Sequence, residues 1–436
     1  MKFATHRALL CLAALLLVVP TAPVLAQSTA EAFGAFQLNL DTPGAKSLGM
    51  AGATLATIDD PSAAVVNPAG LVGIENNDIV VEFRQNRPEN LFSVAGLVTP
   101  GQGAAIKGIE DQKSTNFSFA AYTRGFAKGA VSVYYDTPIA FSAGPSGLGP
   151  VVNNVPTMPH TGLVNIDVES IGVAGAFKIN DEFSIGVGVA MQDLTLDGTN
   201  SRFARETPFP PDPYRPGLEV SRQSIVGDDD DVVFNAGFVW KSERVSVGGA
   251  YRQGSEFDTV AVNRAGQGTA TPGVELGRGT GSFALPDTYG LGASFFVTKK
   301  FLVAVQWNHQ TWGDLSENLA DPFGVPAVVL ANLKNDDIDT YHLGMGWIQD
   351  HPRFPVEIWW GAWESEGRRV AWNPAAAGPA IAAPQSLPLQ AHFLAADDET
   401  HFSAGVGMTF DWFRFGFSGD ISDEADTIVG SVGFNF

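Results

Sequence analysis

FSIGVGVAMQ, residues 183–192, alternates without a break. Phe183, Ile185, Val187, Val189 and Met191 fall on one side of an extended chain. Ser184, Gly186, Gly188, Ala190 and Gln192 fall on the other. Alternation with period two means a strand with two unlike faces. The second face is the informative one. A soluble sandwich would turn it to water and fill it with Lys, Glu and Arg. Here it carries Gly, Ala and Ser, which suits a crowded barrel lumen with the bulky apolar side chains turned out to lipid.

Outward from this stretch the pattern repeats. It recurs in IGVAGAFKI (171–179), VSVGGAYR (245–252), YGLGASFFV (289–297), FLVAVQWN (301–308), YHLGMGW (341–347), SAGVGMTF (403–410) and FRFGFSGD (413–420). Strands are predicted near 78–85, 116–124, 129–142, 165–179, 182–197, 229–241, 244–261, 281–299, 300–314, 337–350, 354–367, 398–410, 413–421 and 427–436. These are fourteen, an even number, as bacterial single-chain barrels require. The connections alternate in length. RGFAKG (124–129), IND (179–181), KSER (241–244), TKKF (298–301), DHPRF (350–354) and DWF (411–413) are short, and long segments lie between them. Short periplasmic turns and long outer loops belong to the same architecture. Tryptophans 240, 307, 312, 347, 359, 360, 363 and 412 gather near strand ends, where an interfacial girdle would place them.

The ends of the chain complete the plan. Lys2 and Arg7 precede an apolar run from Leu9 to Val19, and Val24-Leu25-Ala26 offers a cleavage site, so residues 1–26 read as a signal peptide for export. Cys11, the only cysteine, lies inside it, so the mature chain is expected to have no disulfide or thiolate chemistry. Residues 27–77 do not alternate. They are too apolar and too glycine-punctuated for a disordered tail, and are expected to form a plug inside a barrel of residues 78–436. The formal net charge of -21 offers no basic stripe and argues against nucleic-acid binding. No mature stretch is long and apolar enough for a transmembrane helix. The fold class is therefore all-β: a 14-stranded antiparallel transmembrane β-barrel with an N-terminal hatch plugging the lumen.

AFQLNL (35–40) and SLGMAGATLATIDDPSAAVVNPAGL (47–71) resemble the N-terminus of the FadL-type outer-membrane transporters of hydrophobic compounds, the OMPP1/FadL/TodX family. LPDTYGLGASFFVTKKFLVAVQWNHQTW (285–312), DDETHFSAGVGMTF (397–410) and the terminal Phe436 also match its pattern. The resemblance implies a 14-stranded barrel and a hatch carrying Asn67-Pro68-Ala69. It implies a hydrophobic groove between outer loops, an apolar pocket within, and sideways release into the membrane through a gap at a kinked strand. It also implies delivery by the outer-membrane assembly machinery through Phe436. The polar lead QSTAEAFG (27–34) departs from the family pattern.

Several residues invite a chemical reading. Asp59 and Asp60 look like a carboxylate pair, but no nearby Glu or His completes a site. The structural reading has Asp60 capping a turn that starts at Pro61, and Asn67 ending it before Pro68. Pro138, inside YYDTPIAF, cannot donate to a ladder; it marks a candidate lateral gate, or the outer rim where the strand ends. Phe203, Phe209, Tyr214 and Leu218, in a proline-rich outer loop, are candidates for a ligand groove, or for a lid packed on itself. Lys178, Arg252, His342 and Arg414 fall on the small-residue face, where they would meet a ligand carboxylate or belong to internal salt bridges. Asp228 to Asp231 do not have EF-hand spacing. No Gly-x-Ser-x-Gly, His-Glu-x-x-His or phosphate-binding glycine loop is present, so no enzyme, metal or cofactor is expected.

The expected function is uptake of hydrophobic small molecules, long-chain fatty acids or hydrocarbons, by passive, hatch-gated diffusion through a monomer in contact with outer-membrane lipid and lipopolysaccharide. A non-transport outer-membrane platform or secretion-associated shuttle of the same fold, and a general porin, are the other readings.

Overall fold

The computed structural model describes residues 42–88, 114–143, 160–204, 218–321, 332–349, 354–367, 370–372, 398–422 and 425–436, together with Leu38, Leu40 and three two-residue strand pieces between 146 and 156. Among these residues, sixteen strands of eight residues or more form one antiparallel sheet that closes on itself. They are β1 (Asn77–Pro88), β2 (Ser114–Phe126), β3 (Gly129–Ala143), β4 (His160–Lys178), β5 (Phe183–Phe203), β6 (Glu219–Lys241), β7 (Val245–Arg252) and β8 (Glu256–Ala265). Then follow β9 (Glu275–Ala284), β10 (Thr288–Thr298), β11 (Phe301–Gln310), β12 (Ile338–Gln349), β13 (Val356–Ser365), β14 (Glu399–Thr409), β15 (Phe413–Ile421) and β16 (Ala425–Asn435). Each stave pairs with the next in sequence. β16 returns to β1 from Asp78↔Asn435 to Pro88↔Ala425, and Asn77 and Phe436 exchange backbone hydrogen bonds beyond it.

The sixteen strands make fourteen staves, because two staves are interrupted. The sequence reads 244–261 and 281–299 as unbroken strands and 262–280 as a loop. Instead, β7 and β8 are separate pieces that both pair with β6, while β9 and β10 pair with β8 and β7. The interruption falls beside Pro286, which has no N–H. Carboxylates take over the ladder there. Asp287 Oδ1 accepts from Gly254 N–H at 2.8 Å, Asp231 Oδ2 from Glu256 N–H at 3.1 Å, and Asp229 Oδ2 from Asp258 N–H at 2.7 Å. The segment 262–280 is a hairpin of strand for most of its length.

The two faces are those of the opening stretch. Ile185, Val187 and Met191 point outward and are 43%, 64% and 51% exposed, while Ser184 and Ala190 are buried inside. Of the tryptophans, Trp240, Trp347 and Trp412 are exposed at the short-turn end, as a girdle requires. Trp312 and Trp359 are not girdle residues. Both are buried, Trp359 against the N-terminal segment. In WWGAW (359–363) period two sends Trp359 and Trp360 to opposite faces.

Residues 42–76 lie against the inner face of this wall. They form α1 (Ala45–Gly49), α2 (Ala63–Val66) and a 3-10 turn at Pro68–Gly73. Local chemistry sets these bounds. Asp60 Oδ1 accepts from the Ser62 N–H at 2.8 Å and from its hydroxyl, just ahead of α2. Asn67, extended at φ -157 and ψ 99 before Pro68, ends it. Its Oδ1 then caps the 3-10 turn by accepting from Ala69 N–H at 3.2 Å. A left-handed corner at Ala51 (φ 54) and Gly52 (φ 77) turns the chain after α1.

Candidate functional site: the lumen and a break in its wall

The inner face is glycine-rich because backbone passes close to it. A Cβ added at Gly248 would lie 2.3 Å from the Leu55 carbonyl oxygen, and one at Gly186 2.3 Å from the Pro68 carbonyl carbon. A Cβ at Gly344 would lie 2.5 Å from the Met50 carbonyl oxygen. A side chain at any of these positions would push the N-terminal segment off the wall.

Polar wall side chains then take up backbone groups of that segment. Asn67 Nδ2 donates to Leu55 O at 2.8 Å and to Phe238 O at 3.1 Å, so the Asn-Pro-Ala turn bridges the segment to β6. Asn235 Nδ2 donates to Ala64 O and Val65 O, Ser184 Oγ to Ala69 O, and Ser418 Oγ to Ala45 O at 2.5 Å. The backbone N–H groups of Thr54 and Leu55 both donate to Gln306 Oε1, each at 3.0 Å. This leaves Gln306 Nε2 to donate to Asn308 Oδ1 at 3.0 Å, and Asn308 Nδ2 to donate to His342 Nε2 at 2.9 Å. His342 Nδ1 must then donate to Ala51 O, 2.7 Å away. A closed relay runs from residues 54–55 through three wall side chains back to residue 51. Its polarity fixes His342 as neutral, protonated at Nδ1.

The four candidate cations are therefore not gathered into one anion site. His342 is a clamp on the N-terminal segment. Arg414 makes a two-pronged pair with Asp78, at 2.5 and 2.9 Å. Arg252 faces the Asp136 carboxylate and Tyr134. Lys178 is the last residue of β4, beside a short turn. The two acids of the Asn-Pro-Ala region are equally occupied. Asp59 pairs with Lys46 at 3.3 Å, and Asp60 caps Ser62. Burial opposes the Lys46 ammonium, but the carboxylates of Asp59, Glu357 and Asp60 outweigh it and hold its pKa above the ordinary lysine value. Among the described residues no group of three or more His, Cys, Asp or Glu side chains is placed to hold a metal.

One buried network escaped the sequence reading. Trp363 is sandwiched between His342 and His401, with ring centroids at 5.5 and 3.7 Å. His401 sits between Asp420 Oδ2, 2.6 Å from Nδ1, and Glu399 Oε1, 3.1 Å from Nε2, all deeply buried. Period two in ETHFS (399–403) puts Glu399, His401 and Ser403 opposite Phe402, so the signal was present in the strand pattern.

Towards the long-loop end the lumen turns apolar. Ile139, Ile166, Leu194, Phe257, Phe283 and Trp312 belong to one buried cluster that spans the barrel, and Leu38 and Leu40 of the N-terminal segment pack into it. Phe203 lies at the end of β5, half-buried, and Leu218 is 69% exposed beside the start of β6. Phe209 and Tyr214 lie outside the described residues.

The wall of this apolar layer is broken at Pro138. β2 and β3 pair from Phe126↔Gly129 to Phe119↔Asp136 and no further. β3 runs on to Ala143 paired only with β4, and β2 runs on to Ser114 paired only with β1. Both strands bulge at this level: β2 at Ser118, against β1, and β3 between Asp136 and Ile139, against β4. The β3 bulge adds one residue, which moves the inward positions from even to odd. It thereby aims Ile139 and Phe141 into the apolar layer. Pro138 is nine residues above the short turn at Gly129, roughly 23 Å up a tilted strand, near the outer edge of the apolar band.

A closed 14-stranded antiparallel barrel with lipid-facing apolar side chains and chain packed within it defines a class, the outer-membrane transport barrels. The sequence matches the outer membrane protein transport protein family (OMPP1/FadL/TodX) over residues 24–346, and the chain belongs to that family. The fold is similar to that of a Pseudomonas aeruginosa FadL homologue (14% identity, TM-score 0.61, 92% of this chain and 99% of that one). It is also similar to the Ralstonia pickettii toluene transporter TbuX (14%, 0.62, 91% and 99%) and to the CymD monoaromatic hydrocarbon channel (15%, 0.57, 92% and 99%). No curated protein is matched by the sequence.

Proposed function

We propose that this barrel takes up hydrophobic small molecules, with the N-terminal segment acting as a hatch and the β2–β3 break as the exit. One observation carries the reading: through Ile139 and Phe141 the apolar layer of the lumen reaches the junction at which β2–β3 backbone pairing stops at Phe119↔Asp136 although both strands run on. A hydrophobic molecule leaving water would partition from the outer loops, where Phe203 and Leu218 stand beside Phe209 and Tyr214 in sequence, into that layer. It would then leave sideways into lipid, down its own gradient. The hatch below denies a water path to the periplasm.

Neutral compounds suit this route better than carboxylates. Arg252, His342 and Arg414 face acids or a carbonyl, and Lys178 is at the opposite end of its strand from the apolar layer. Aromatic hydrocarbons, which the names of two of the structural relatives mention, are thus favoured over long-chain fatty acids. Radiolabelled toluene uptake tests this in cells with and without the protein, and with Leu194→Asp. Toluene uptake should rise with the protein and return to background in the variant. An equal rise with Leu194→Asp overturns the apolar route.

A further inference from the structure

The β2–β3 parting is held at its lower end by a side chain. Thr137 is buried, and its hydroxyl lies 3.3 Å from the Phe117 carbonyl oxygen on the facing strand and 3.2 Å from the Tyr135 hydroxyl. Tyr135 gives its own proton to Glu169 Oε1, at 2.9 Å, so its oxygen and the Phe117 carbonyl both act as acceptors and share the single Thr137 proton in a three-centre bond. Pro138, next along, has no N–H to offer across the gap. In hydrocarbon, an unpartnered backbone carbonyl is costly. The Thr137 hydroxyl therefore substitutes for the first missing rung of the ladder.

An aromatic run covers the same place from outside. Phe117 on β2 stacks on Tyr135 of β3 with centroids 5.4 Å apart and planes 27° off parallel. Phe83 on β1 meets the edge of Phe117 at 5.6 Å. The run crosses from β1 to β3 where the backbone bonds between β2 and β3 end. On the inside, Ile139 faces the lumen. Any molecule passing between the strands must slide past these rings, and their spacing is set by the Thr137–Tyr135–Glu169 chain.

We infer that Thr137 is a positioning residue for transport: by tying the Phe117 carbonyl and the Tyr135 hydroxyl it fixes the width of the side opening, and so the bulk of hydrophobic molecule released. This rests on the sideways-exit reading. Without the hydroxyl, the edge of β2 above Phe119 is free to move away from β3, and bulkier molecules pass.

The test uses the full chain in outer membranes, with toluene as the small probe and pyrene as the bulky one. Thr137→Val keeps the shape and loses the hydroxyl; Thr137→Ser keeps the hydroxyl. The pyrene-to-toluene uptake ratio should rise several-fold in Thr137→Val and return to the native value in Thr137→Ser. Tyr135→Phe, which keeps the ring, should raise it in the same direction and serves if Thr137→Val does not assemble. A Thr115→Cys/Ala140→Cys pair, joined by a short bis-maleimide, separates the two layers of the claim. If the cross-link stops uptake but neither Thr137→Val nor Tyr135→Phe changes the ratio, the sideways route stands and the Thr137 role is overturned. If the cross-link leaves uptake of both probes intact, the sideways route is overturned and the Thr137 role with it.

Discussion

His342 Nδ1 donates to the carbonyl oxygen of Ala51 across 2.7 Å, joining a strand of the wall to the left-handed corner of the segment it encloses. The bond joins residues 291 apart in the chain and closes a relay that begins at the Thr54 and Leu55 N–H groups and passes through Gln306 and Asn308. Its consequence is that the segment is held by directional bonds as well as by packing.

Gln306→Leu should break this clamp most cleanly. It leaves the N–H groups of Thr54 and Leu55 without an acceptor and Asn308 without its donor. Each buried group left unpaired costs about 1–3 kcal/mol. The expected result is an assembled barrel with raised ion conductance in planar bilayers. Conductance equal to native would show that the relay does not hold the hatch shut.

Gly248 offers a steric counterpart. Its added Cβ would meet the Leu55 carbonyl at 2.3 Å, whereas one at Gly430 would have nothing within 4 Å. Gly248→Val should therefore raise leak of small polar antibiotics, read as lowered resistance, while Gly430→Ala leaves it unchanged.

Asn67 is the most heavily used side chain of the Asn-Pro-Ala turn, donating to two carbonyls and accepting from one N–H. Asn67→Asp keeps the acceptor but turns an oxygen towards Leu55 O and Phe238 O. It should lower the thermal unfolding temperature more than Asn67→Ala, and both should raise conductance.

The Lys46 pair carries a pH dependence of known sign. Burial opposes its charge, yet Asp59, Glu357 and Asp60 raise its pKa above the ordinary lysine value. A raised folded-state pKa gives stabilisation that is complete below the unfolded value, about 10.4, and is lost as pH climbs through the higher folded value. Hatch closure through Lys46 should thus hold from neutral pH to about pH 10. Lys46→Met should raise conductance throughout that range. A variant whose leak matches native at pH 7 and departs only in stronger alkali would contradict this.

The barrel itself was readable because lipid and lumen impose opposite demands on alternate residues. FSIGVGVAMQ states the outward and inward faces of β5 in ten letters. The glycine face was readable as crowding, but not what crowds it, since Gly248 and Leu55 are far apart in sequence. The split staves were hidden because side-chain oxygens of Asp229, Asp231 and Asp287 replace backbone partners, and period two does not record that. Pro138 was visible as a missing donor. That pairing with β2 ends at Asp136, while pairing with β4 resumes at Ile139, depends on three strands together. The charged candidates misled most. A cation at an inward position says nothing about the acid opposite it, and Asp78 meets Arg414 only when the barrel closes.

The central claim is that hydrophobic molecules pass through the apolar layer beside the β2–β3 break. The most direct measurement is the anomalous scattering of bromine in crystals soaked with 4-bromotoluene. The account predicts bromine inside the barrel, within contact of Ile139, Leu194 and Phe257. Bromine confined to the outer, lipid-facing surface, with none among those residues, would contradict it.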